Sequence, residues 1–144
     1  TLCLFQLVEK HGKILHDGMK GGENVYFVYG GTDTEQREKI RGLVEGHTKS
    51  TTTASYGTFS TGINIRNINN IVLASPSKSK IRVLQSIGRG LRTSSTKDSI
   101  LIFDIADDIS YGERRNFTLN HFFERINIYN EEQFNYEISK VKIK

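Results

Sequence analysis

The sequence predicts an α/β fold on a mostly parallel sheet, and three observations carry that prediction. Short runs rich in branched and aromatic residues alternate with helical patterns along the chain. Several of these runs are apolar throughout, as strands covered on both faces are. Glycine pairs separate them, with no linker, internal repeat or low-complexity tract. At 144 residues the chain is long enough to bury a real core, so one domain over 1–144 is expected.

Residues 1–5 read as a first buried strand. Val8, His11, Ile14, Leu15 and Met19 then recur at near-helical spacing, and Gly21 with Gly22 ends that helix. A second strand over 25–29 is broken by Gly30 and Gly31. The next helix opens at an N-cap of Asp33 or Thr34 and carries Ile40, Leu43 and Val44 on its apolar face. The threonine-dense stretch 50–55 suits a strand, because branched side chains fit a pleated surface. Residues 57–64 read as a loop and 71–74 as a strand whose exit Pro76 marks. A helical period covers 78–92, a strand 100–103 and a helix 117–133. Alternation over 134–144 predicts a closing strand.

Cys3 is the only cysteine, so no internal disulfide can form and a reduced, cytoplasmic setting is expected. No apolar stretch approaches the roughly 20 residues that span a bilayer, and no basic-then-apolar leader opens the chain. Thr1 already lies inside a strand, which suggests a piece of a longer protein. The formal net charge of +4 suits a polyanionic partner but says less than the placement of the arginines.

Gln85, Gly88, Arg89 and Arg92 fall at i, i+3, i+4 and i+7 and would share one helix face. Ile81, Leu84, Ile87 and Leu91 gather on another, suited to packing on the sheet. A solvated basic face would explain the charges but not Gly88 and Gly90, each costing about 1 kcal/mol against alanine in a helix interior. Close approach of a backbone or a phosphate explains them. Guanidiniums are rigid donor forks matched to phosphate oxygens and stay charged when desolvated. Between two strand-like runs, residues 55–65 offer small hydroxylated side chains and two glycines. Such a segment is either a turn capping its own backbone or a loop meeting phosphates.

Gln85-x-x-Gly88-Arg89-x-x-Arg92 resembles motif VI of superfamily-2 helicases, and residues 55–65 resemble motif V, which precedes it by one strand. Phe5-Gln6 at a strand end looks like motif IV, and Gly30-Gly31-Thr32 with Arg37 like the segment that follows it. The order of these segments carries the resemblance across 1–104. It implies a RecA-like, P-loop NTPase-type domain, the second lobe of a helicase. Arg89 and Arg92 would then reach the γ-phosphate of ATP held by a first lobe, with Arg92 as arginine finger and Arg89 its partner. Gln85, Gly62 and Asn64 would line the ATP side, although Asn64 stands where aspartate is common and brings no charge. Gln6, Gly31, Ser60 and Thr61 would meet the nucleic-acid backbone. The segments 54–57, 59–63, 79–81, 121–129 and 134–136 are similar to UvsW-type phage helicases, which remodel branched DNA in recombination and repair.

No G-x-x-x-x-G-K-S/T and no Asp-Glu pair occurs, so ATP and Mg²⁺ would be held mainly by an N-terminal RecA-like lobe of the same parent chain. This piece alone should not hydrolyse ATP. DNA is the partner implied by the UvsW-type resemblance, while the residues themselves do not separate DNA from RNA. Asp104, Asp107 and Asp108 read as a solvated strand-exit loop rather than a metal site. His11, His16, His47 and His121 lack metal spacing and read as surface or half-buried. Lys140, Lys142 and Lys144 suit protection of an edge strand, and Tyr26, Tyr29, Phe122 and Phe123 suit core packing. The rival readings are a RecA-like nucleic-acid-binding module without ATP coupling and the second lobe of a restriction or remodelling translocase. A Rossmann-type enzyme would need G-x-G-x-x-G after an early strand, which is absent.

Overall fold

The first apolar run becomes the centre of the sheet. In the computed structural model β1 (Leu2–Phe5) is buried at every residue and pairs on one side with β3 (Thr51–Ser55) and on the other with β4 (Asn70–Leu73). The structure describes residues 1–61, 65, 68–75, 79, 84, 87–88, 99–112 and 114–142, with the backbone alone for Ser60 and Thr61. β2 (Val25–Val28) and β5 (Leu101–Asp104) form the edges, giving the all-parallel order β2-β3-β1-β4-β5. Parallel pairing explains the unbroken apolar run of the central strand β1, which is covered on both faces, whereas the edge strand β5 leaves Leu101 and Phe103 exposed.

Register sorts the side chains into rows. Tyr26, Thr52, Leu2, Ile71 and Ile102 lie abreast on one face, followed by Val28, Ala54, Leu4, Leu73 and Asp104. On this face α2 (Thr34–Gly46) contributes Ile40 and Val44, and α3 (Tyr56–Thr61) contributes Tyr56 and Phe59, to one core cluster. Asp33 caps α2, its Oδ1 accepting from the Gln36 amide at 2.7 Å, so Thr34 is the first helical residue. Leu43, expected on the apolar face, is exposed.

The opposite face is covered differently from expectation. A π-helical turn, Val8–Gly12, precedes α1 (Lys13–Met19), with the Gly12 amide reaching back to the Leu7 carbonyl at 2.8 Å. The wider turn shifts the helical phase, so Ile14 points to solvent. His16 packs against Phe27 at 5.1 Å, and Phe27 stacks on Phe5 at 5.5 Å. Gly12 seats the turn on the sheet, because a Cβ there would overlap the Phe5 ring. Gly12→Ala is expected to cost about 1–3 kcal/mol through overpacking. Urea unfolding of the domain checks this, and an unchanged midpoint would refute it.

The last helix, α4 (Phe117–Glu131), ends where Gln133 adopts φ +56° and the Phe134 amide bonds the Tyr129 carbonyl at 2.9 Å. The expected closing strand does not form over the described residues 134–142. Its alternating aromatics fold back on α4 instead: Phe134 and Tyr136 lie 6.4 and 6.1 Å from the Tyr129 ring, and the Tyr136 hydroxyl donates to Asn130 at 2.9 Å. Lys140 and Lys142 therefore protect no sheet edge. No described helix is long and apolar enough to cross a membrane.

Candidate functional site at the carboxyl edge of the sheet

In an open parallel sheet, ligands meet the loops at the carboxyl ends of the strands. Gln6, Gly31, Ser60 and Thr61 all follow such ends here: Gln6 directly after β1, Gly31 after β2, and Ser60 with Thr61 closing α3 after β3. Gln6 and Gly31 are exposed. A surface depression lined by Met19, Val25, His47, Thr51 and Asn70 lies at the amino edge instead, away from all of them.

The loop after β2 is held by Arg37. Its Nε donates to the Thr32 carbonyl at 2.7 Å, and its Nη2 to the Gly30 carbonyl at 3.0 Å and the Tyr29 carbonyl at 3.4 Å. The Thr32 hydroxyl accepts from the Tyr29 amide at 3.1 Å. Gly31 sits against the Tyr29 ring, where a side chain would crowd it. Arg37 thus shapes the loop rather than reaching outward.

The segment expected as a loop over 57–64 begins as helix. Ser55 starts α3: its hydroxyl accepts from the Thr58 amide at 3.3 Å and lies 2.8 Å from the Thr58 hydroxyl. Tyr56 and Phe59, three apart, bury on the core. A serine cap followed by that spacing was the signal in the sequence. The Tyr56 hydroxyl then donates to the Ser75 carbonyl at 3.1 Å, tying α3 to the chain leaving β4.

Gly62, Asn64, Gln85, Arg89 and Arg92 lie outside the described residues, as do Ile81 and Leu91. Within the arginine segment Leu84, Ile87 and Gly88 are helical. Ile87 is 4% exposed and packs with Tyr129, Ile100, Ile102, Ile126 and Phe134, as the apolar-face reading expects. Gly88 is exposed, with open space where a Cβ would stand.

Asp104 overturns its expectation as part of a solvated loop. It ends a core-facing row, and Arg125, 1% exposed, clamps it through Nε at 2.7 Å and Nη2 at 2.6 Å. The Tyr129 hydroxyl donates to the same carboxylate at 2.7 Å. Burial works against the Arg125 charge, but Asp104's hydrogen bond and charge outweigh it, leaving the guanidinium pKa above its ordinary value. Burial, then the Asp104 charge and hydrogen bond, push the Tyr129 phenol far up, so it remains a donor. The sequence offered one clue, Arg125 and Tyr129 at i and i+4 on one helix face. Asp107 and Asp108 do lie exposed; the Asp107 carbonyl accepts from Asn116 at 2.8 Å and the Asp108 carboxylate from the Ser110 amide at 3.2 Å. Among the described residues no group of three His, Cys, Asp or Glu is placed to hold a metal ion.

The five-stranded parallel sheet is that of a RecA-like helicase C-terminal domain, and residues 1–94 match the helicase conserved C-terminal domain. The chain belongs to that family. It is 38% identical to the ATP-dependent DNA helicase uvsW of Enterobacteria phage T4 over 144 aligned residues, covering 92% of this chain and 29% of that protein. The crystal structure of T4 UvsW superimposes with a TM-score of 0.79, across 97% of this chain and 30% of that one. A putative ATP-dependent helicase of Saccharomyces cerevisiae, IRC3, is 34% identical over 116 residues, 78% of this chain and 16% of the relative. The C-terminal domain of the DEAD-box protein Dbp5 shares the fold at a TM-score of 0.68 and 16% identity, over 92% of this chain and 69% of that domain. The chain thus spans under a third of the curated relatives it matches.

Proposed function

We propose that this chain is the second lobe of an ATP-dependent DNA helicase or translocase that remodels branched DNA in recombination and repair. The observation that carries the reading is the 38% identity to a DNA helicase spread over 92% of the chain, rather than confined to motifs. A first lobe of the parent protein would hold ATP and Mg²⁺. This lobe would close on it and supply Arg92 as arginine finger, Arg89 as its partner, and Gln85, Gly62 and Asn64 along the nucleotide. The open space beside Gly88 fits such close approach. ATP supplies the phosphoryl group whose developing charge the arginines stabilise. Gln6, Gly31, Ser60 and Thr61 would grip the nucleic-acid backbone from the same edge of the sheet, so closure and opening would move the strand. The setting would be the cytoplasm, that of the host if the parent protein is phage-encoded.

The reading is tested by ATP hydrolysis of the full-length protein with and without branched DNA. DNA should stimulate turnover. In parallel, Gln6→Ala and Thr61→Ala should weaken DNA binding without changing its salt slope, because neutral groups release no counterions. A binding module without ATP coupling would show no stimulation, and Arg92→Ala would lower the salt slope by about one.

A further inference from the structure

The Asp104–Arg125–Tyr129 cluster belongs to none of the motifs, yet Tyr129 packs with Ile87, which lies within one of them. Tyr129 is 6% exposed and shares its apolar cluster with Ile87, which precedes Arg89 and Arg92 in the sequence by two and five positions. Its hydroxyl and the Nε and Nη2 groups of Arg125 converge on one carboxylate at the carboxyl end of β5. The Tyr129 ring is therefore fixed at two ends, by Asp104 at its hydroxyl and by Ile87 and Phe134 along its side. A buried ion pair is a weak source of net stability, since replacing it with packed apolar groups is often neutral. A directional, fully satisfied cluster instead selects one geometry.

We propose that Asp104, Arg125 and Tyr129 are positioning residues, which act through Ile87 on the segment that carries Arg89 and Arg92 and so support ATP hydrolysis. The proposal rests on the helicase reading above. A side chain held rigidly behind a catalytic segment matters because displacements near 1 Å lower the rate of a preorganised reaction by up to about a hundredfold.

The test is steady-state and single-turnover ATP hydrolysis by the full-length protein with DNA. Tyr129→Phe keeps the ring and removes the bond to Asp104. It should lower kcat about tenfold while KM for ATP and DNA affinity stay within about twofold. In an Arg92→Ala background the same substitution should change kcat less than about twofold, because residues acting as a unit are not additive. Val44→Ala, in α2 on the same face of the sheet, supplies a destabilised control whose kcat should stay at the wild-type value. If Arg92→Ala abolishes hydrolysis but Tyr129→Phe behaves like Val44→Ala, or acts equally in both backgrounds, the positioning role is overturned and the helicase reading stands. If Arg92→Ala hydrolyses ATP normally, the helicase reading fails and the positioning role fails with it.

Discussion

Arg92→Ala in the full-length protein is expected to lower DNA-stimulated ATP hydrolysis by about 10³- to 10⁵-fold while DNA binding persists. The transferring phosphoryl group spreads charge over its equatorial oxygens, and an arginine finger stabilises that charge only as the two lobes close. Loss of the guanidinium should therefore appear in kcat rather than in affinity for DNA. Arg92→Lys should rescue little, because an ammonium offers a point charge in place of a planar fork. Stopped assays with a phosphate readout, beside DNA titrations of the same preparations, decide the matter. Hydrolysis that survives while DNA binding falls would make the arginine helix a nucleic-acid grip.

Arg125→Ala is expected to be the most damaging substitution for the fold itself. It leaves the Asp104 carboxylate in a site 10% exposed with only the Tyr129 hydroxyl as side-chain donor among the described residues. Removing one partner of a buried pair costs about 3–5 kcal/mol, much of a small domain's stability. Replacing the whole cluster at once, Asp104→Leu with Arg125→Met and Tyr129→Phe, should cost far less, since no buried polar group is then orphaned. Thermal unfolding of the two variants gives the comparison. Equal losses would mean that lost packing, not an unpaired charge, makes Arg125 indispensable.

What was legible in the sequence follows from how local each signal is. Five of the predicted strands stand within a residue or two of their runs, because a short run of apolar or branched residues specifies an extended segment without long-range information. The loop residues Gln6 and Gly31 fall where strand ends place them. Failures occurred where one local pattern served two structures. The Ser55–Thr58 cap and the Tyr56–Phe59 spacing make a short helix of a segment whose glycines suggested a loop. The π-helical turn at Val8–Gly12 shifted the phase of the first helix, which no periodicity rule anticipates. The alternating aromatics after residue 133 found a helix end to cover rather than a strand to pair with.

The sequence by itself determined the fold class, the strand order along the chain and the motif spacing, because these depend on neighbours within a few residues. The tertiary structure alone decided that Asp104 is a buried anchor rather than a solvated acid. It also made Arg37 a brace for its own loop, and put Tyr129 against the helix of Ile87. Each of those outcomes turns on which residues 5 to 42 positions apart in the chain meet in space, and on whether water reaches them when they do. A carboxylate and a guanidinium have one chemistry in solvent and another in a core, and only packing says which.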